Sequence, residues 1–311
     1  MIFSIIVVCL NAGEKLRETV DSILAQTEQD YEIILKDGGS TDETTRKYLE
    51  QYEKMCGSEE TGREDGSAGE GDGTDGGVSG RTPKSRQKIR VYRTKDRGIY
   101  DGMNQAVRYV CGDFVLFLNC GDSFYDDRVL EQVRDGMTRM KMISRSRVIC
   151  YGNIYEQKTG TLVQSNPVID DFACYRNVPC HQACFYGAEL LRERGFDTGY
   201  IVRADYEHFL WCYYRARAVT VYLPVTVASY EGGGFSETRE NAKRSAREHR
   251  EIVNRYMPAA KVLKYRLLMI VTLAPVRRRI AESPVTAGVY QKIKSVLYGG
   301  RLTRDKNNRA T

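Results

Sequence analysis

No apolar run in this 311-residue sequence is long enough to cross a lipid bilayer. The longest strongly apolar stretch, residues 267–276, has ten residues and contains Pro275, whereas a membrane-spanning helix needs about 20. The first residues also lack a basic leader and a small-residue cleavage site, so we expect no signal peptide. These absences exclude an integral membrane protein, and we expect the chain to stay in the cytoplasm.

Proline (7), histidine (3) and tryptophan (1) are scarce, and we find no internal repeat. Hydrophobic residues make up 41% of the chain, charged residues 28%, and the mean hydropathy is −0.48. This composition is typical of folded globular proteins and excludes collagen and coiled coils. The length predicts one large domain with an appendage, or two modest domains.

The nine cysteines are an odd number, and several lie in or beside apolar, strand-like runs. Reduced packing residues suit this arrangement better than a disulfide framework does, so we expect no disulfides. One cluster of possible zinc ligands matches no standard finger spacing, and we set a zinc site aside. That cluster is Cys180, His181, Cys184, His208 and Cys212.

The net charge of +6 conceals an asymmetry along the chain. Residues 239–311 contain 18 basic and 5 acidic residues, a balance of +13, whereas the preceding residues contain 29 basic and 36 acidic ones. The basic character therefore belongs to the tail. Binding of nucleic acid by the main body is not indicated.

Strand-like and helix-like segments alternate through the first 120 residues. Residues 3–10, 31–36, 89–93 and 114–118 predict buried strands, and apolar spacing predicts helices between them. Ser40 and Glu43 have the spacing of a helix capping box. This alternation predicts an α/β fold with a parallel sheet, whose carboxyl edge is the usual ligand-binding edge. We expect the polar turns after these four strands to meet there.

A glycine-rich segment interrupts this pattern. Nine of the 24 residues in 57–80 are glycine, so we predict a disordered insertion over 57–88.

The second half of the sequence predicts strands at 148–151, 180–186 and 219–230 and helices at 188–194 and 205–215. Consecutive glycines in 231–236 predict a mobile loop, and helices are expected at 237–256, 261–273 and from 277 onward.

Six motifs occur in a specific order. They are Asn11 after the first strand, Asp-Gly-Gly-Ser-Thr-Asp at 37–42, residues 96–104, Asn-Cys-Gly-Asp at 119–122, His-Gln at 181–182 and Ala-Asp-Tyr-Glu at 204–207. In this order the sequence resembles the glycosyltransferase family 2 enzymes of the GT-A fold, particularly those that build bacterial surface polysaccharides. The resemblance implies a GT-A domain over 1–236, a Rossmann-like, mostly parallel sheet flanked by helices. A basic helical C-terminal extension over 237–311 would follow it.

The resemblance also implies a binding site for a nucleotide-sugar. Asp37 would accept a hydrogen bond from the base, and Arg97 would approach the diphosphate as a bidentate donor. The alternatives are a turn role for Asp37, a solvated side chain for Arg97, and helix capping by Asp101, Asn104 or both. The full set is Asn11, Asp37, Asp96, Arg97, Asp101 and Asn104.

Asp122 is the predicted metal ligand. Cleavage of a nucleotide-sugar leaves a diphosphate whose charge needs a cation, and Mg²⁺ or Mn²⁺ prefers oxygen ligands. The resemblance places the DxD-like metal motif of the family at 119–122. Asn119 and Gly121 stand where that motif has acids, so we expect modest, nucleotide-dependent metal affinity. The alternative is that Asp122 only caps the turn.

Asp205 matches the catalytic base of inverting family members, which takes the proton of the acceptor hydroxyl. Ala204 precedes it where the family often has an acid, and Glu207 points elsewhere on the helix. The alternative is a carboxylate that only interacts with the helix dipole. The resemblance puts His181 and Gln182 in the sugar or acceptor region, although a lone histidine is more often structural.

These assignments imply a metal-dependent inverting transferase of the hexosyl or N-acetylhexosaminyl type. It would move a sugar from a nucleotide donor, expected to be a UDP-sugar, to a polysaccharide or a lipid-linked glycan. Two alternatives stay open. One is a sugar-nucleotide nucleotidyltransferase, although no glycine-rich triphosphate loop lies near the N-terminus. The other is a catalytically silent subunit that binds nucleotide-sugars and recruits partners through the acidic insertion and the basic tail.

The tail has two possible roles. Lys261, Lys264 and Arg266 interleave with apolar residues, and three consecutive arginines stand at 277–279. Such a segment suits the anionic inner face of the plasma membrane. The alternative is a helix packed on the catalytic body with its basic face in solvent.

Overall fold

A computed structural model describes residues 1–57, 88–232 and 238–271. Within these ranges the strands are β1 (Phe3–Cys9), β2 (Tyr31–Asp37), β3 (Ile89–Arg93), β4 (Phe114–Phe117), β5 (Ser123–Phe124), β6 (Val148–Glu156), β7 (Thr161–Val163), β8 (Cys184–Gly187) and β9 (Val219–Tyr230). The helices are α1 (Glu14–Leu24), α2 (Glu43–Gly57), α3 (Ile99–Val107), α4 (Val129–Arg139), α5 (Asp171–Arg176), α6 (Ala188–Glu193), α7 (Ala204–Tyr214), α8 (Arg239–Tyr256) and α9 (Ala259–Val271).

The strands form one sheet in the order β3-β2-β1-β4-β8-β6-β9-β5, with β7 paired to β6. Strands β1 to β4 run parallel, as their alternation with helices predicts. The remaining strands make the sheet mixed, because β8 is antiparallel to both β4 and β6. The predicted α/β fold class is confirmed, and the carboxyl ends of four parallel strands share one edge.

Two apolar cores lie on opposite faces of the sheet because alternate residues of each strand point to opposite sides. Ile5 of β1 packs in the core that contains Leu16 of α1, and Ile6 packs in the core that contains Leu210 of α7. The second core also contains Ile252 of α8. Helix α8 is thus packed on the same body as the described residues that precede it, rather than standing apart from them.

Two local predictions were wrong. Residues His181–Ala183 form a 3-10 turn and the strand begins only at Cys184, whereas the apolar pattern predicted a strand from residue 180. Ser40 does not cap α2, because its hydroxyl donates to Asp37 at 2.6 Å. Asp42 caps this helix instead, with its carboxylate accepting from the Thr45 amide at 2.8 Å.

The predicted insertion lies almost wholly outside the described residues, as do most of the glycine-rich loop and the tail beyond residue 271. Cysteines with described side chains are all free. Across residues 1–57, 88–232 and 238–271, no helix combines the length and the apolar character needed to span a bilayer.

Candidate active site

Asn11 ties the turn after β1 to the turn after β2. It has a left-handed backbone (φ 50°), and its main-chain N–H donates to the Ser40 hydroxyl at 2.8 Å. Its side-chain oxygen accepts from the amides of Thr41 (2.8 Å) and Asp42 (3.2 Å). Asn11 therefore holds the second turn at the carboxyl edge of the sheet, and its predicted contact with a nucleoside stays a prediction.

Asp37 is buried at the end of β2. Its Oδ1 accepts from the Ser40 hydroxyl at 2.6 Å and from the Ser40 amide at 3.0 Å, and the thiol of Cys9 lies 3.8 Å from the same atom. These bonds give Asp37 the turn role that the sequence left as an alternative. Whether it also accepts a hydrogen bond from a base stays a prediction.

Asp96 is fixed by Lys36, a residue that the sequence analysis missed. The Lys36 ammonium is fully buried and donates to Asp96 Oδ2 at 3.1 Å and to the carbonyls of Asp37 (2.8 Å) and Thr94 (2.5 Å). A buried ammonium needs such partners, because its desolvation is otherwise very unfavourable. A Cβ at Gly38 would lie 2.6 Å from Asp96 Oδ2, so any other residue there would displace the Asp96 carboxylate. A lysine directly after the apolar run of β2 was the available signal.

Arg97, Asp101 and Asn104, at and near the start of α3, make contacts within the protein, and their predicted contacts with a nucleotide-sugar stay predictions. The Asp101 carboxylate accepts from the Arg97 amide at 2.9 Å, and this bond lowers the pKa of Asp101. The Arg97 side chain is 87% exposed, with its Nε 3.7 Å from Asp101. The Asn104 side chain binds both main-chain groups of Phe196, at 2.8 and 2.9 Å. Asn104 therefore joins α3 to the segment before α7.

Asp122 lies buried in the turn after β4. Gln182 donates to its Oδ2 at 3.0 Å. Burial raises the pKa of Asp122, and the opposing effects of Gln182 and the nearby His181 are smaller, so the net pKa is raised. The Thr19 hydroxyl of α1 donates to the Asp122 carbonyl at 2.7 Å and accepts from the Gly121 amide at 3.1 Å. Helix α1 thus holds this turn in place.

Asp205 lies in the first turn of α7 and is 26% exposed. Tyr100 of α3 donates to its Oδ1 at 3.0 Å, and Nδ1 of His181 lies 3.3 Å from its Oδ2. Burial raises the pKa of Asp205, but the hydrogen bonds from His181, Tyr206 and Tyr100 outweigh it and lower the net pKa. Asp205 is therefore an ionised carboxylate at neutral pH.

The two predicted acids belong to one site because the 3-10 turn bridges them. Asn119 Nδ2 lies 3.0 Å from His181 Nε2. An amide nitrogen only donates, so His181 accepts at Nε2 and carries its proton on Nδ1, toward Asp205. Its neighbour Gln182 binds Asp122. Hydrogen bonds therefore run from the turn after β4, through residues 181 and 182, to the start of α7.

Oxygen atoms suited to a hard divalent cation lie at the turn after β4. Besides the Asp122 carboxylate, the buried Asn119 Oδ1 has no hydrogen-bond partner among the described residues. Mg²⁺ and Mn²⁺ prefer such oxygens and commonly complete their coordination with phosphates and water. Groups of three or more protein ligands in a metal-binding arrangement are absent from the described part of the chain. The site fits a cation that binds together with a diphosphate.

Glu231 and Lys15 also border this turn, and no sequence motif singled out either residue. The Lys15 ammonium lies 2.5 Å from Glu231 Oε2, and both side chains are about half exposed. A Cβ at Gly121 would lie 2.9 Å from that oxygen. Pairing of β5 with β9 carries Glu231 to the Asp122 turn. A third carboxylate and an ammonium therefore stand at the same edge.

Helix α8 holds the main chain that leads into α7. The buried carboxylate of Glu248 accepts from the amides of Ile201 (3.0 Å), Val202 (3.0 Å) and Arg203 (2.9 Å). The Arg203 guanidinium in turn donates to the Ser245 hydroxyl at 2.7 Å. These bonds fix the backbone directly before Asp205. Sequence periodicity alone does not reveal this contact between distant segments.

Comparison with known proteins gives an independent result. Residues 4–63 match the family model described as glycosyl transferase family 2. A PGL/p-HBAD biosynthesis glycosyltransferase of Mycobacterium bovis is 31% identical over 238 residues, which is 76% of this chain and 79% of the relative. An uncharacterized glycosyltransferase of Mycobacterium tuberculosis is 29% identical over 136 residues, 42% of this chain and 48% of that one.

Solved structures show the same fold at low sequence identity. TarS 1–349 of S. aureus superposes with a TM-score of 0.57 at 15% identity, covering 85% of this chain and 69% of TarS 1–349. A mannosyltransferase of Pyrobaculum calidifontis, in complex with GDP-Man and Mn²⁺, gives 0.55 at 15% identity, with coverage of 97% and 82%. The predicted GT-A fold is confirmed. With the extended match to the mycobacterial enzyme, these findings show that this chain belongs to glycosyl transferase family 2.

Proposed function

We propose that this glycosyltransferase works by single displacement with inversion at the anomeric carbon. The observation that supports the proposal is the connection between Asp122 and Asp205 through the 3-10 turn. In this proposal Asp122 would bind the cation that a leaving diphosphate needs, and Asp205, ionised and partly exposed, would act on the acceptor. An arrangement of this kind serves group transfer without a covalent enzyme intermediate.

The proposed donor is a UDP-sugar of the hexosyl or N-acetylhexosaminyl type. The TarS enzyme has been solved with UDP and with UDP-GlcNAc, and the Pyrobaculum enzyme with GDP-Man. We assign the nucleoside to the edge formed by Asn11, Asp37 and Asp96, and the diphosphate to the side of Arg97. The Arg97 side chain is 87% exposed, and its ion pair with Asp101 is long, at 3.7 Å, so the guanidinium is accessible to a diphosphate.

Asp122 and Asn119 would hold the cation, Mg²⁺ or Mn²⁺. When bound, this cation would neutralise charge on the departing diphosphate. Gln182 keeps one Asp122 oxygen oriented by a 3.0 Å hydrogen bond. The raised pKa of Asp122 follows from burial, and a nearby positive charge would favour its ionised form.

Asp205 is the proposed general base. It would take the proton of an acceptor hydroxyl while that oxygen attacks the anomeric carbon on the side opposite the diphosphate. Tyr100 and His181 each donate to one carboxylate oxygen, which fixes the orientation of Asp205 and leaves lone pairs for the acceptor. We expect the acceptor to be a polysaccharide or a lipid-linked glycan, met at the anionic inner face of the plasma membrane.

A donor panel tests this function. Hydrolysis and transfer are measured with UDP- and GDP-sugars, with Mn²⁺ or with chelator, and NMR reports the anomeric configuration of the product. The expected result is Mn²⁺-dependent activity that Asp122→Asn abolishes, with inversion. Asp127→Asn, at an exposed acid in the same region of the chain, is the matched control and should leave activity unchanged.

Other outcomes would contradict separate parts of the proposal. Activity that survives both chelator and Asp122→Asn would contradict the metal role. Retention of configuration would contradict single displacement. Donor binding without any turnover would instead favour a silent nucleotide-sugar-binding subunit.

A further inference from the structure

Within the described part of the chain, helix α9 (Ala259–Val271) packs on the body through the face that contains Tyr265. The Tyr265 ring lies 5.3 Å from that of Phe172 and 5.5 Å from that of Tyr175, both on α5. Val262 is partly buried on the same side, and Lys261 forms an ion pair with Asp171. This face fixes the position of α9 relative to α5.

The opposite face of α9 carries a row of exposed apolar side chains, which we name the α9 row. Spacings of three and four residues put its members on one side of the helix. Isolated exposed apolar residues are common on protein surfaces, whereas a contiguous row marks an interface. The members and their exposures are Leu263 (57%), Leu267 (54%), Ile270 (60%) and Val271 (79%).

Basic residues border the α9 row on both sides. At 100° per residue, Arg266 lies next to Ile270 on one edge, and Lys264 lies beyond Leu267 on the other. No acidic residue occurs in the helix. The sequence that follows is also strongly basic, with three arginines at 277–279.

We propose that the α9 row inserts into the interface of an anionic lipid bilayer, with Lys264 and Arg266 at the level of the headgroup phosphates. An apolar strip between basic borders is the pattern of helices that lie in a membrane surface. Long basic side chains reach the phosphates while their stems lie along the apolar layer.

The contacts of α5 connect this surface to the candidate active site. Tyr206, the residue after Asp205, donates to the Cys174 carbonyl of α5 at 2.6 Å. The Tyr175 ring of the same helix packs against Tyr265 of α9. The bilayer would therefore be held at a fixed position relative to Asp205. A bilayer at this position would give the active site access to an acceptor carried in lipid. This advantage rests on the proposed function, whereas the membrane contact itself does not.

Vesicle co-sedimentation of the full chain tests the proposal. The probe is a vesicle of phosphatidylglycerol and phosphatidylcholine in equal parts, compared with phosphatidylcholine alone. We expect binding to the anionic vesicles only. Leu263→Asn/Leu267→Asn should weaken it about a hundredfold, from about tenfold per inserted leucine. Lys264→Gln/Arg266→Gln should weaken this binding by about fivefold per charge, and added salt should also weaken it.

The matched control is Met140→Asn/Leu162→Asn, which removes two apolar residues of similar exposure (47% and 46%) from elsewhere on the body. It should bind vesicles like the unaltered chain. Size-exclusion chromatography and UDP-sugar hydrolysis accompany every variant. Hydrolysis of a soluble donor should be unchanged in all of them, which separates failure at the surface from failure of the proposed enzyme.

Three results would overturn the proposal. The first is absence of binding by the full chain, and the second is equal binding by Leu263→Asn/Leu267→Asn. The third is a dimer that becomes monomeric in that variant, because a second copy would then cover the row. If no variant hydrolyses any donor but the vesicle pattern holds, the surface stands and the catalytic proposal fails.

Discussion

Replacing Glu248 by glutamine tests whether α8 positions the start of α7. The Glu248 carboxylate receives three main-chain N–H groups, from Ile201 on Oε1 and from Val202 and Arg203 on Oε2. Glutamine is nearly the same size but keeps only one acceptor oxygen. The substitution therefore changes the hydrogen bonding without opening a cavity.

The magnitude follows from these bonds. If the amide oxygen of the introduced glutamine keeps the pair at Val202 and Arg203, its NH₂ group faces the Ile201 amide, and one buried donor is left unpaired at about 1–3 kcal/mol. The remaining two bonds lose the contribution of the charge, about 0.5–1 kcal/mol each. We expect the free energy of unfolding to fall by about 2–5 kcal/mol. Displacement of Asp205 should also lower kcat by about tenfold to a hundredfold.

Urea unfolding and UDP-sugar turnover measure these two effects. The donor KM should change little, because α1 rather than α8 holds the Asp122 turn. The matched control is Glu251→Gln on the same helix, whose exposed carboxylate accepts from the Tyr200 hydroxyl at 3.1 Å. If Glu248→Gln lowers the free energy of unfolding and kcat no more than Glu251→Gln does, the positioning role of Glu248 is refuted.

Three further changes test other parts of the site. Asp205→Asn should lower transfer by about 10²–10⁴-fold while calorimetry shows unchanged donor binding; near-normal transfer would exclude it as the base. His181→Ala removes the hydrogen bond that lowers the pKa of Asp205, so the acid limb of the kcat/KM profile should move to higher pH, and an unmoved limb would contradict this coupling. In the unaltered chain, ionised Asp205 adds stability at pH values above the pKa that this residue has in the unfolded chain. This contribution is lost as the pH falls through its lower pKa in the folded chain. Lys36→Met leaves Asp96 without its cation and should cost about 3–5 kcal/mol in urea unfolding, whereas a cost below about 1 kcal/mol would argue against its role.

The sequence was sufficient for the strands that build the edge of the site. Buried runs such as β1 and β4 consist mainly of consecutive apolar residues, and polar turns follow them closely, so Asn11 and Asp122 could be placed at strand ends. The order of these motifs also led to the correct family. Local patterns fail where a short polar turn interrupts an apolar run, which is why the 3-10 turn at His181 was predicted as a strand.

Contacts between distant segments were not predictable in this way. Tyr100 reaches Asp205 from α3, and Glu231 reaches the Asp122 turn through the pairing of β5 with β9. Glu248 reaches the start of α7 from another helix. Each of these residues is ordinary in its own sequence context, and its role depends on tertiary packing. The buried Lys36 was the exception, since a lysine next to the apolar run of β2 is visible in the sequence.

A crystal structure with Mn²⁺ and a non-hydrolysable UDP-sugar bears most directly on the joint role of the two acids. We expect the diphosphate and the cation at Asp122, with the anomeric carbon of the sugar facing Asp205. A nucleotide bound away from Asp122, or a sugar whose anomeric carbon points away from Asp205, would contradict this account.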